Sequence, residues 1–340
     1  MDEGRTNTLL EEAFYNYANQ QLARVEREGR SFVHYTSAEA ALSMINNREI
    51  WLRNAAVMND FSEMAHGEAC LRYCLLDDPE TVGRSKMALN SIVEGLHERV
   101  VKWFFESSQM RRIYTYLISI SEHGPVTIRT GDVDEESTYG RLSMWRAYGS
   151  RGGVAMVFSR KALSTPNDAV PIYSSPVFYG TPSEFAWQYA KILAYLELHR
   201  DEMKRIDPAI VETNLTRALH FACLSCKHPG FREEREWRIT YSADPVNEHI
   251  EDAKFNEENA IQREFRIVNG LPQRIYKMPF VDVPEKRIVG FTLPDILERV
   301  IVGPTQYPMV VADALHSAMR RIGFDAHQIK ISLSDIPLRT

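Results

Sequence analysis

Residues 231–241 read FREEREWRITY, and within them Glu234, Glu236 and Arg238 fall at every second position. Trp237, Ile239 and Tyr241 alternate with this charged set. A period of two is the signature of a half-buried β-strand, so the charged residues are expected on one face and the large apolar ones on the other. Two carboxylates on one strand face have two readings. They are the reacting groups of a site, or they are a solvated face tied down by Arg232, Arg235 and Arg238, which is what most charge runs turn out to be.

The rest of the chain supplies elements for such a strand to pair with. Leu9, Leu10, Phe14, Tyr17 and Leu22 recur at helical spacing and predict an N-terminal helix at about 8–28. Phe32 to Tyr35 reads as a strand, Ser37 as the N-cap of a helix with Ala41, Leu42 and Ile45 inward, and Ile50 to Leu52 as a second strand. Helices are expected at about 61–75 and through much of 85–109. YLISISE is a short buried strand with Ser119 and Ser121 on one face, and a short helix carrying Trp145 and Tyr148 leads through Gly152-Gly153 to a strand over Val154 to Phe158.

Residues 182–226 hold two long helical patterns divided by Pro208 and read as a helical insertion. Further strands are expected near 264–268, 273–279 and 299–303, a helix near 308–322 and a closing strand at QIKISL. Helices gathered in runs make the class α+β. With no repeat or long linker, a single domain over 1–340 is the expectation.

Composition narrows the function. A formal charge of −6 argues against a protein that coats nucleic acid through bulk electrostatics. The N-terminus is acidic without an apolar segment, and no window approaches a membrane span, so a cytoplasmic protein with no membrane partner is expected. Cys70, Cys74, Cys223 and Cys226, with His66 and His228, fit only half of a zinc-site spacing, and buried free thiols are the reading preferred over a metal.

HYTS at 34–37, MNDFSE at 58–63, SMWRAYG with GGVAMVF, CKHPGFREEREWRI and VIVGPT at 300–305 occur in one order along the chain. In that order they resemble the bacterial family known as domain of unknown function 2971. His34-Tyr35-Thr36, Ser119-Ile120-Ser121 and Glu234-Arg235-Glu236 also resemble, in sequence order, the three motifs of the ADP-ribosyltransferase superfamily.

That second resemblance implies a split β-sheet core with additional long helices and NAD as substrate, either for transfer to a protein or nucleic-acid acceptor or for hydrolysis as an NAD glycohydrolase, in the setting of a bacterial or phage toxin or an anti-phage defence effector. It implies Glu236 as the catalytic carboxylate facing the developing positive charge on the ribose and Glu234 as the residue that orients or deprotonates the acceptor. His34 and Thr36 would hold a ribose, and Ser119 or Ser121 would position Glu236. Tyr35, Trp145 or Tyr148 would stack on the nicotinamide. Arg238, on the predicted charged face, belongs to the same binding set.

Two other functions compete. A metal-dependent nuclease or hydrolase would use Asp60, Glu63, Glu234 and Glu236 with Lys227 or Arg238 as helper, although none of these glutamates opens the Glu-x-Lys such nucleases commonly show. A non-catalytic binding or regulatory module would bury the same residues as a polar network, with Glu236 satisfied by arginines. Plain readings stand beside each residue: His34 as a core histidine, Trp145 and Tyr148 as core packing, and Asn59, Asp60 and Glu63 as a helix N-terminus.

Overall fold

A computed structural model describes residues 2–57, 61–125, 135–149, 152–160, 172–243, 250–286 and 288–337. The chain forms two compact units, one of residues 1–23, 55–115 and 175–232, the other of 24–54, 116–174 and 233–340. Among the described residues no helix is long and apolar enough to cross a membrane.

The first unit is helical, with helices Glu3–Phe14, Phe61–Arg72, Pro79–Ile92, Leu96–Glu106, Pro182–Leu198 and Pro208–Leu224. Three of them start on a capping residue followed by proline at the first helical position. Asp78 accepts from the Thr81 amide, Asp207 from the Ala209 amide, and Thr181 exchanges bonds with Glu184 in a capping box. Leu9, Leu71, Leu89, Leu193 and Leu215 fill the core that these helices enclose. Helices Phe61–Arg72 and Pro208–Leu224 approach so closely that a Cβ on Gly67 would lie 1.8 Å from the carbonyl oxygen of Cys223. The four cysteines are free, buried thiols of this unit.

The second unit is built on a ten-stranded sheet. Its strands are β1 (Arg30–Ser37), β2 (Glu49–Asn54), β3 (Thr115–Pro125), β4 (Gly153–Phe158) and β5 (Ile172–Pro176). After the short pair β6 (Phe178–Tyr179) and β7 (Cys226–Lys227), which forms a separate ribbon, come β8 (Glu236–Ser242), β9 (Gln262–Val268), β10 (Leu271–Pro279), β11 (Leu297–Val302) and β12 (Ile331–Leu333). The order is β12-β11-β4-β1-β3-β2-β10-β9, with β8 paired to β3 and to β5. Only the β11–β12 pairing within that order is parallel. This is a mixed α and β chain with one large mixed sheet, as an α+β class requires.

Two features position the site. The first is a parting of strands. β1 and β3 pair from Arg30↔Pro125 to Val33↔Ser121; beyond that point β1 follows β4 to Ser37↔Gly153, while β3 runs on beside β2 at Arg53↔Leu117 and Asn54↔Tyr116. The second is Trp145, 2% exposed, which packs with Val33, Tyr35, Ala155, Val157 and Ile301. Its indole is enclosed by glycines, since a Cβ at Gly140 or at Gly303 would come within 2.7 Å of the ring.

Where the expected elements differ from the observed ones, the causes are local. The N-terminal helix is two helices, Glu3–Phe14 and Asn16–Arg27, broken at Tyr15. The helices expected over 182–226 are present, and they share one core with helices from residues 3–14 and 61–106.

Candidate functional site

Ser119 stands where β1 and β3 have parted, and its two ends face different partners. Its carbonyl oxygen receives the Nδ1 of His34 at 2.9 Å. A carbonyl only accepts, so the proton is on Nδ1, and a neutral His34 presents Nε2 as a lone-pair acceptor. The ring thereby meets a β3 carbonyl just beyond Val33↔Ser121, the last pair of the β1–β3 register. Burial holds the His34 ring below its ordinary value, against the Ser119 carbonyl, which favours the charged form.

The hydroxyl of Ser119 donates to Glu236 Oε1 at 2.5 Å, and the Nε of Arg238 donates to the same oxygen at 2.9 Å. Glu236 and Arg238 are each 4% exposed. The alternation on β8 therefore carries a charged pair into the interior, and the solvated-face reading fails for these two residues. A carboxylate and a guanidinium removed from water need each other and further hydrogen bonds to offset desolvation. Arg238 and Ser119 supply them. On the other side of β8, Trp237 donates from its indole nitrogen to Glu122, which also pairs with Arg24.

Glu234 does not share the Glu236 face. β8 starts at Glu236, and Glu234 ends the 3₁₀ turn before it. The residue between them, Arg235, has φ of +44°, a left-handed conformation that breaks the alternation and costs a non-glycine residue about 1–2 kcal/mol. The surrounding bonds hold it there. Arg141, 7% exposed, donates from Nη1 to the carbonyls of Glu233 at 2.5 Å and Glu234 at 2.9 Å, and from Nη2 to that of Glu122 at 2.9 Å. Glu136 bridges the Nε of Arg141 at 3.3 Å and the Nη1 of Arg235 at 3.0 Å.

The aromatic residues expected to stack on a ligand are mostly core. Tyr35 and Trp145 meet edge to face with centroids 4.9 Å apart, and the Trp145 indole donates to the Tyr139 carbonyl at 2.8 Å. The Tyr35 hydroxyl accepts from the Arg141 amide at 2.9 Å. Tyr148 is 40% exposed and is the member of this set open to solvent. Thr36 is part-buried on β1, two residues from His34, and Ser121 is buried opposite Val33.

The structure thus joins His34, Ser119, Glu236 and Arg238 in one bonded chain, while Tyr35 and Trp145 belong to the core and Glu234 to the turn before β8. Among the described residues no group of three or more His, Cys, Asp or Glu is arranged to hold a metal ion. Of the carboxylates a nuclease would need, Asp60 and the side chain of Glu63 lie outside the described residues.

With this geometry in view, residues 144–239 match the model of a family described as protein of unknown function, DUF2971. The matched span opens on the Met144-Trp145 helix and closes just after Glu236 and Arg238, so it holds the Trp145 anchor and the strand of the buried pair. His34, Ser119 and Arg141 precede it. No curated protein and no solved structure matches the chain.

Proposed function

We propose that the protein cleaves NAD at its nicotinamide bond and transfers the ADP-ribosyl group to a protein or nucleic-acid acceptor, or to water. The observation behind this reading is the buried Glu236 carboxylate, held by Ser119 and Arg238 beside the place where β1 and β3 part. Breaking the bond between nicotinamide and the ribose C1′ releases neutral nicotinamide and leaves oxocarbenium character on the sugar. A fixed carboxylate opposes that charge more strongly in the transition state than in the ground state. The acceptor then bonds to C1′ and gives up its proton.

His34 supports the reading as a neutral ring whose Nε2 is available to accept from a ribose hydroxyl. Glu234, one turn residue from Arg235, is the candidate to take the acceptor's proton, from a position off the Glu236 face. Tyr148 replaces Tyr35 and Trp145 as the candidate stacking residue, because it alone of the three is exposed.

One observation favours a second reading. The Arg238 pairing of Glu236 is also what a non-catalytic polar network would contain. One experiment separates the two. Purified protein is offered NAD with cell extract as acceptor source, and nicotinamide release is compared between wild type and Glu236→Gln. Release by wild type that is lost in the variant while NAD binding is kept supports the transferase. Neither binding nor release from a folded sample overturns it and favours the non-catalytic module.

A further inference from the structure

Nothing in the sequence around Arg141 marks it, yet its side chain gathers the segments that place Glu236. We infer that Arg141 is a positioning residue for Glu236. Its guanidinium sets the turn from which β8 departs and the fit of that strand on β3, and so fixes where the carboxylate meets the Ser119 hydroxyl. The activity part of this inference rests on the function proposed above.

The bonds fall on two chain segments. The Glu233 and Glu234 carbonyls belong to the turn before β8, and the Glu122 carbonyl belongs to β3, the strand of Ser119. The backbone closes the same seam, with the Glu122 amide donating to the Arg235 carbonyl at 2.9 Å. One planar fork of five N–H donors spans three carbonyls, a task a single ammonium cannot perform. Around it, Glu136 holds both Arg141 and Arg235, and Ser143 donates to the Glu233 carboxylate at 2.8 Å. Arg141 is itself located from the other side by the Tyr35 hydroxyl on its amide and by the helix Leu142–Tyr148 that follows it.

The left-handed Arg235 gives this arrangement its consequence. A turn that pays strain at one residue relaxes when its carbonyls are released, and relaxation moves the next residue, Glu236. A displacement of about 1 Å in a reacting group costs on the order of 100-fold in rate.

The test uses the full chain with Arg141→Lys and the milder Glu136→Gln. Amide hydrogen exchange across 231–242 is expected to speed up roughly tenfold in Arg141→Lys, with the β1–β4 ladder unchanged. Nicotinamide release is expected to lose about 100-fold in kcat with KM for NAD within about twofold, and Glu136→Gln should show the same pattern more weakly. Unchanged exchange at 231–242 overturns the inference, as does acceleration spread over the whole sheet, which would make Arg141 a general support of the fold. If wild type releases no nicotinamide, the NAD reading fails separately, and exchange alone decides the role of Arg141.

Discussion

Ser119 and Glu236 lie 117 residues apart in sequence, and the serine hydroxyl meets the glutamate Oε1 at 2.5 Å. The oxygen that Ser119 reaches is the one Arg238 also holds, so two donors fix the orientation of a single carboxylate. Ser119→Ala removes one donor and leaves the Arg238 pair. We expect a loss of about 1–2 kcal/mol in stability by denaturant titration and a roughly tenfold fall in nicotinamide release. Unchanged activity would show that the Ser119 bond does not orient a reacting group.

Two histidines should make the fold sensitive to acid. Burial lowers His34 below its ordinary 6.5, and burial with the charge of Arg111 lowers His220 to about 4. A lowered folded value means the unfolded chain takes the proton more readily, so the stabilisation is complete above about pH 6.5 and is lost as pH falls toward the folded value. For His220 the loss is on the order of 3 kcal/mol between pH 6.5 and 4. Melting temperatures of wild type, His34→Gln and His220→Gln across that range should show the decline flattened in each variant.

Gly303→Ala tests the enclosure of Trp145. The new Cβ would meet the indole at 2.7 Å and the Gly153 carbonyl oxygen at 3.0 Å. Crowding of this kind typically costs about 1–3 kcal/mol, read as a lower denaturation midpoint with an unchanged slope. A neutral result would mean that the ring has room to turn.

The four thiols should resist a bulky disulfide reagent in the native state and react together once the chain is unfolded. Burial pushes Cys74 and Cys223 up to about 12. Cys70 is instead drawn down by its bond with the Cys226 thiol, so any slow native reaction should disappear in Cys70→Ser. Rapid reaction of several thiols in native buffer would contradict the packing of helices Phe61–Arg72 and Pro208–Leu224.

How much of this was legible in the sequence varies residue by residue. Asp78-Pro79, Thr181-Pro182 and Asp207-Pro208 state their helix starts locally, because a cap and its proline are neighbours in the chain. The β8 pattern was readable as a strand, yet period two says only that Glu236 and Arg238 share a face. Whether that face meets water depends on β3, which lies far away in sequence. Glu234 was misplaced because nothing in REER announces a left-handed arginine; glycine or asparagine at 235 would have been the warning. Trp145 is buried as its core reading expected, and of the glycines that enclose it Gly140 is a near neighbour in the chain while Gly303 belongs to a distant segment. Arg141 was invisible, since three of its partners are backbone carbonyls, and a carbonyl has no side-chain identity for a pattern to detect.

The parting of β1 from β3 also bears on how the sheet avoids unwanted company. Backbone groups without ladder partners invite extended strands from other chains when they lie along an outer border. Here the gap opens between two interior strands, and the His34 ring occupies the first carbonyl that an intruding strand would seek. The parting lies away from β9 and β12, which end the strand order, so loss of the ring at position 34 would release that carbonyl inside the sheet and not along its outer edge.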